Sequence, residues 1–305
     1  MDEIKNQHVV PRGYLKRFAL DDQIHVLSKD SAKTFLTNIK NVACERGFYD
    51  IVSCGGEGHV HGQIVEKALS DIDDRFVGCR DAFLQEGDRC PQFSVEHKVR
   101  LVEFLAVQFL RTQVMRRAIR DVGEAEVPTA GADSILAESL RVPAESISSV
   151  HAGIIFQPER RLEIESVLLG HVWLLGVNHT DMAYLTSDSP VIQISHVSDA
   201  LGPVCGVASE GSEIAWPLSP SHILLLYERS HHQHLEQVEN RVLDIRDAHK
   251  HVLPYNQRQV TQSFRQIYSA DGQFRPALEL LQKNQSLRDV HRSRVELVSE
   301  SPKQA

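Results

Sequence analysis

Ser94-Val95-Glu96-His97-Lys98-Val99-Arg100-Leu101-Val102-Glu103-Phe104-Leu105-Ala106-Val107-Gln108-Phe109-Leu110-Arg111 is the clearest helical stretch of this 305-residue chain. Ser94 suits an N-cap, and Glu96 puts an acid in the first turn, where free N–H groups favour oxygen acceptors and negative charge. Val99, Val102, Leu105, Ala106, Phe109 and Leu110 recur at helical intervals and carry an apolar face toward Met115. Everything on either side of this helix has a different character. Before it, Gln23 to Leu27 and Thr34 to Ile39 mix β-branched and polar residues around Lys29-Asp30-Ser31, which predicts a hairpin. A loop at Gly55-Gly56-Glu57-Gly58 precedes a second amphipathic pattern through Ala68, Leu69, Ile72 and Phe76.

Beyond the helix, the stretch from Asp121 to Ala132 reads as a surface loop and a candidate boundary, and Pro143 and Pro158 punctuate further helical pieces. Leu162 to Leu175 is expected as a helix or a strand. Four short apolar runs follow, at Met182–Thr186, Pro190–Ile194, Glu213–Trp216 and His222–Tyr227, and they predict strands of one sheet. Helical spacing returns over Glu236–Ala248 and Asn256–Tyr268, with Val260, Phe264 and Ile267 on one face. The fold class expected is α+β, a central helical layer with N-terminal strands and a C-terminal mixed or antiparallel sheet. Residues 1–282 are expected as one domain, with 1–120 and 160–282 as the alternative lobes and 283–305 as a polar, flexible tail.

Composition narrows the function classes. A hydrophobic content of 42 % is that of a chain that buries a core. Apolar runs such as Ile223–Leu226 stop far short of the roughly 20 residues a bilayer span needs. The start lacks a basic patch followed by an apolar run, and the five cysteines are odd in number without CxxC spacing; both favour a cytoplasmic setting with reduced thiols. A net charge of −8 argues against coating long duplexes by bulk electrostatics and leaves local basic patches, at Arg12, Lys16 and Arg17 and at Arg111, Arg116, Arg117 and Arg120.

Four blocks occur in order: His8-x-x-Pro11-x-x-Tyr14-Leu15-x-x-Phe18; Asn41-Val42-Ala43-x-Glu45-x-x-Phe48-Tyr49; Phe104-Leu105-Ala106-x-Gln108-x-x-Arg111-Thr112; and Thr186-Ser187-Asp188-Ser189-Pro190-Val191 followed by Pro217-Leu218-Ser219-Pro220. With Asn256 and the segment ending Arg265-Gln266-Ile267-Tyr268, this pattern resembles the family catalogued as domain of unknown function 4238, over roughly residues 7 to 268. The family carries a Ser-Asp-Asn-Pro step where this chain has Ser189, a change that keeps the turn and alters its hydrogen bonding. The resemblance implies no activity.

The same blocks hold the residues suited to chemistry. His8, near Arg12, Tyr14 and Lys16, combines an imidazole for proton transfer with cations that stabilise a phosphate or oxyanion. Its alternative role is to hydrogen-bond the start of the fold while Tyr14, Leu15 and Phe18 enter the core. Gln108 and Arg111 share a helical face, and an Arg among Leu and Phe requires a carboxylate, such as Asp188 or Glu66, or an anionic ligand. Asp188, at a strand end before Ser189-Pro190, either faces a pocket or accepts backbone N–H groups in an Asx-turn. Asn256 either binds beside it or caps its helix. Glu66 and Asp73 lie two turns apart and with Asp188 suit Mg²⁺ or Mn²⁺, against the plainer reading of exposed acids. His231, His232, His234, His249 and His251 read as a solvated surface. No Walker, dinucleotide, HExxH or Gly-x-Ser-x-Gly pattern appears.

The activity expected from these residues is cleavage of a nucleic-acid phosphodiester, as an effector of bacterial defence or toxin type. His8 then serves as acid/base, Arg111 with Arg12 or Lys16 as phosphate stabiliser, and Asp188 as an orienting or metal-holding group. The alternative is a sensor that binds a nucleotide or phosphorylated ligand without turnover, and a third is a scaffold in which Arg111 and Asp188 pair.

Overall fold

Asn6 to His8 form strand β1, which pairs antiparallel with β4 (Cys44–Arg46) and sets His8 opposite Cys44. Between them come helix α1 (Arg12–Leu15), a 3-10 turn over Lys16–Phe18, and the hairpin β2 (Gln23–Ser28) and β3 (Lys33–Asn38). The hairpin loop is set by Asp30, whose carboxylate accepts from Ser28 Oγ at 2.6 Å and Ser31 N at 2.7 Å. The computed structural model describes residues 6–50, 60–85, 93–124, 147–197 and 206–294. The loop expected at Gly55–Gly58, the Pro128–Gly131 stretch, Pro143 and the chain after Arg294 lie outside these residues.

The helical layer comprises α2 (Val60–Gln85), α3 (Val95–Leu110), α4 (Gln113–Glu124), α5 (Ile147–Phe156) and α6 (Pro158–Leu169). Ser94 caps α3 as expected, accepting from His97 N at 3.1 Å. The apolar face differs from the expectation in its first turns: Val95 and Val99 are exposed, whereas the C-terminal half from Leu101 is buried almost all round. Phe76 of α2 stacks on Phe104 of α3 with ring centres 3.8 Å apart, and Trp216 covers both. Helix α1 lies so close to α2 that a Cβ on Gly13 would sit 2.6 Å from Val77.

The C-terminal half supplies β5 (Val172–Asn178), β6 (Thr186–Ser187), β7 (Ile192–Ser195), β8 (Ser212–Ser219), β9 (His222–Tyr227), β10 (Arg241–Ile245), α7 (Ala248–His251), α8 (Leu253–Gln262), β11 (Gln266–Ser269) and α9 (Arg275–Lys283). One sheet has the order β10-β5-β9-β8-β7, mixed because β10 runs parallel to β5 and the other pairs are antiparallel. The second has the order β3-β2-β11-β6 and joins the N-terminal hairpin to the C-terminal half. The fold is therefore α+β. Its largest apolar cluster unites Val10, Tyr14 and Phe18 with Phe76, Phe104, Trp173, Trp216 and Tyr268. Among the described residues no helix is long and apolar enough to cross a membrane.

Several expected elements are corrected. The four apolar runs do not share one sheet, because Thr186–Ser187 pairs with β11 instead. The helix expected over Glu236–Ala248 is a 3-10 turn (Gln233–Val238) and the strand β10; Asn240, at φ 62, ends the turn and donates its N–H to Trp173 O at 2.7 Å, steering the chain alongside β5. The helix expected to Tyr268 stops at Gln262, and Ile267 and Tyr268 are in β11. Residues 285–294, expected in the flexible tail, pack on the body: Leu287 and Arg294 are buried, and Arg288 donates to Asp30 O at 3.0 Å.

Candidate functional site

His8 is presented by β1, whose neighbours fix it on every side. Gln7 reaches Asp50 Oδ1 at 2.9 Å through its Nε2 and accepts the Tyr49 amide on its Oε1. The amide of His8 points to Glu66 Oε1 at 3.5 Å, and its carbonyl accepts from Tyr49 Oη at 3.3 Å. The next carbonyl, Val9 O, accepts from Gln108 Nε2 at 3.0 Å. Gln108 Oε1 in turn accepts from Arg111 Nε at 2.8 Å, so the expected pairing of these two residues on one helical face is a direct bond. Arg111 has no exposed surface. Its Nη1 lies 2.9 Å from Asp73 Oδ1 and 3.1 Å from Oδ2, and its guanidinium rests 5.4 Å from the Phe104 ring centre. The partner expected for Arg111 was Asp188 or Glu66; the carboxylate it meets is Asp73, from α2.

Three polar atoms in this cluster are buried without a protein partner: His8 Nε2, Glu66 Oε2 and Arg111 Nη2. Buried polar groups in folded proteins are nearly all satisfied, so three together on mutually interacting residues are three valences left for water or a ligand. Burial, with the cations Arg12 and Arg111, holds the His8 imidazole down at about 4, against the pull of the Lys40 carbonyl. His8 is thus neutral at pH 7, and its Nε2 is a buried ring nitrogen without a bonded partner. Burial pushes Glu66 the opposite way, upward, with Asp73 adding to it and the His8 amide, Arg111 and Arg12 opposing. Asp73 is also raised by burial against Arg111. A lowered base and a raised acid around one arginine are groups that acid–base chemistry uses. Arg12, whose charge reaches His8 and Glu66, and Lys16, one turn on in the chain, are exposed, whereas Arg17 is held by Asp81 at 2.8 Å.

Tyr14 anchors the opening block. It is fully buried, and its hydroxyl donates to Pro217 O at 2.6 Å and meets Thr186 Oγ1 at 2.8 Å, tying the first block to the fourth. Leu15 and Phe18 are equally buried.

Asp188 has other work. Its carboxylate accepts the backbone amides of Phe264 at 2.8 Å, Arg265 at 2.7 Å and Gln266 at 2.8 Å, and neither His8 nor Arg111 is among its bonded partners. Burial pushes it up, opposed by those three amides and by Lys29. Lys29, with no exposed surface, donates to Val260 O at 2.7 Å and Ser263 O at 2.9 Å, and burial with Arg292 and Arg294 lowers it to about 7. Together these charges end α8 and hold the next residues extended, which is why the helical spacing of Val260, Phe264 and Ile267 does not continue as helix. Asn256 is interior to α8 and caps nothing. It accepts from Leu185 N at 2.8 Å and donates to Ala183 O at 2.9 Å. Gln259 and Gln262, one and two turns on, bond Ser187 Oγ, Pro190 O and both backbone groups of Gln193. The repeat of amides at 256, 259 and 262 was the available signal for this ladder; Lys29, in a turn, offered none.

Three members of the second basic patch are engaged: besides Arg111, Arg116 donates to Phe48 O and to His151 Nδ1, and Arg117 pairs with Asp121 at 2.7 Å, whereas Arg120 Nε is buried without a hydrogen-bond partner. The histidine cluster is not simply solvated either, since His232 is buried and edge-packed against His196. Among the described residues no group of three or more His, Cys, Asp or Glu side chains is placed to hold a metal ion, and Asp188 does not join Glu66 and Asp73. A surface groove of about 430 Å³ lies elsewhere, between Thr34 of β3 and Leu278 and Gln282 of α9.

The His8 cluster joins residues of the first three blocks to Glu66 and Asp73 of α2, which lie outside them, and the fourth block is tied to the first through Tyr14. No curated protein and no solved structure matches the chain. One family model does, that of the protein of unknown function DUF4238, over residues 6–273, and with most of its length matched the chain belongs to the DUF4238 family.

Proposed function

We propose that the chain cleaves phosphodiester bonds in nucleic acid, at the cluster of His8, Glu66 and Arg111, and that it does so in the cytoplasm. The observation that supports this most is the set of three unpartnered atoms: a neutral imidazole nitrogen, a carboxyl oxygen and a guanidinium nitrogen on one charge-coupled group of residues. In this reading His8 Nε2 takes the proton of the attacking hydroxyl, and Glu66, its carboxyl raised by burial, returns a proton to the leaving oxygen. Arg111 Nη2, with Arg12 outside, stabilises charge on the phosphoryl oxygens. Gln108 and Asp73 are positioning residues that hold Arg111. Lys16 grips the backbone further along, and neither Asp188 nor Asn256 takes part.

The test is incubation of the full chain with RNA and DNA oligonucleotides, in chelator and with Mg²⁺ or Mn²⁺. Cleavage is expected to fall by roughly 10²–10⁴-fold in His8→Ala and to weaken steeply with salt when Arg12 and Lys16 are intact. No cleavage under any of these conditions ends the reading. Thermal stabilisation by nucleotides without product would instead favour the sensor, which binds through the same cations.

A further inference from the structure

We infer that His196 and His232 form a binding site for one divalent transition-metal ion of the zinc class, with Glu213 orienting the first ligand from inside the sheet. This site is separate from the His8 cluster and does not depend on its function. Glu213 is on β8 and only 3 % exposed. Its Oε1 accepts from Tyr255 Oη at 2.6 Å and its Oε2 lies 2.7 Å from His196 Nε2. A carboxylate can only accept, so His196 donates Nε2–H and keeps its lone pair on Nδ1. His232 is fixed the same way: its Nδ1 lies 2.9 Å from Glu228 O, a pure acceptor, which leaves the lone pair on Nε2. Both imidazoles therefore share what metal-bound histidines show, one nitrogen given to a carboxylate or carbonyl and, among the described residues, no hydrogen-bond partner on the other.

The spacing of the rings is that of two imidazoles on one ion. Their centres are 4.9 Å apart with planes at 84°. Two imidazoles bound to one ion at 2.0–2.1 Å place their ring centres about 5 Å apart. Water completes the coordination, since no third side chain does so among the described residues. His231, with its ring 4.8 Å from that of His232, enriches the nearby donors. The bond to Glu213 raises the His196 imidazole, with burial and Arg258 of α8 opposing it. Imidazole ligands select zinc, copper and nickel over magnesium and calcium.

The probe is Zn²⁺, titrated calorimetrically into tag-free full-length chain at pH 7.4. One ion per chain is expected, with affinity lost at least 10-fold in His196→Gln and in His232→Gln, reduced about 10-fold in Glu213→Gln, and unchanged in His249→Gln. Metal-free melting curves check that each variant is folded. Pulsed EPR of the wild-type chain loaded with one equivalent of Cu²⁺ needs no variant, and it is expected to count two coupled imidazoles. Absence of zinc binding, full affinity in either histidine variant, or a single coupled imidazole would overturn the site.

Discussion

Arg111 is the residue on which the candidate site turns, because it belongs to two networks at once. Through Asp73 and Gln108 it fastens α2, α3 and the His8–Val9 backbone, and its free Nη2 is the cation offered to a ligand. Removing one member of such a buried pair leaves the other charge uncompensated. Arg111→Ala is therefore expected to lower unfolding free energy by about 3 kcal/mol, and Asp73→Ala to lose much of the same contribution. Urea denaturation of both single variants and the double variant checks this; strictly additive losses would show that the two do not act together. Ser189 lies at the opposite extreme. Its hydroxyl is buried with no partner while its amide bonds Ser187 Oγ at 3.1 Å, so Ser189→Ala should stay within about 0.5 kcal/mol of wild type in the same assay. A loss above 2 kcal/mol would mean the hydroxyl bonds something essential.

Among the elements, α8 shows most clearly what the sequence revealed and what it hid. Its existence was legible, though it starts three residues before the expected Asn256, and its end was not, because the residues that end it are remote: Asp188 and Lys29 lie 76 and 231 positions from the groups they bind. Periodicity reports which face a helix would bury. It carries no information about a carboxylate arriving from another strand to hold three amides extended. The α3 helix, its cap and the Gln108–Arg111 pair were all readable, since each depends on residues within one or two turns. Arg111's need for a carboxylate was readable as well, though not which one: Asp188 and Glu66 were the expected partners, and only the fold brings Asp73 to it. The amide ladder of α8 makes its own prediction. Gln259→Leu keeps the volume but strands Ser187 Oγ and Pro190 O, and it should cost about 2 kcal/mol, read as a shift of the urea midpoint at constant slope. A neutral result would show that this ladder is not what holds residues 183–193 to the helix.

Among the described residues burial lowers His8, His151, His171 and His232, and this gives the stability of the molecule a defined response to acid. Burial and neighbouring cations lower His8 to about 4 and His151 to about 3, both from 6.5. In the unfolded chain they take up protons first, so their contribution is complete above pH 6.5 and is lost as the pH falls toward 4 and 3. His151 donates to Leu110 O at 2.8 Å and accepts from Arg116, contacts a Gln can reproduce. His151→Gln is accordingly expected to remove about 1 kcal/mol of the stability lost by wild type between pH 6.5 and 5.5. Urea midpoints at the two pH values, compared between the chains, measure it; identical pH dependence would mean that His151 is not held neutral.

The most direct test of the His8 cluster is the ¹⁵N-edited imidazole spectrum of the full-length chain at pH 7, recorded with and without a phosphorothioate dinucleoside diester. His8 Nε2 is predicted to resonate as an unprotonated nitrogen with no hydrogen bond, and to shift as the diester saturates the site. A protonated Nε2 at pH 7, or a resonance that stays in place at saturation, would contradict the assignment of this cluster to phosphodiester chemistry.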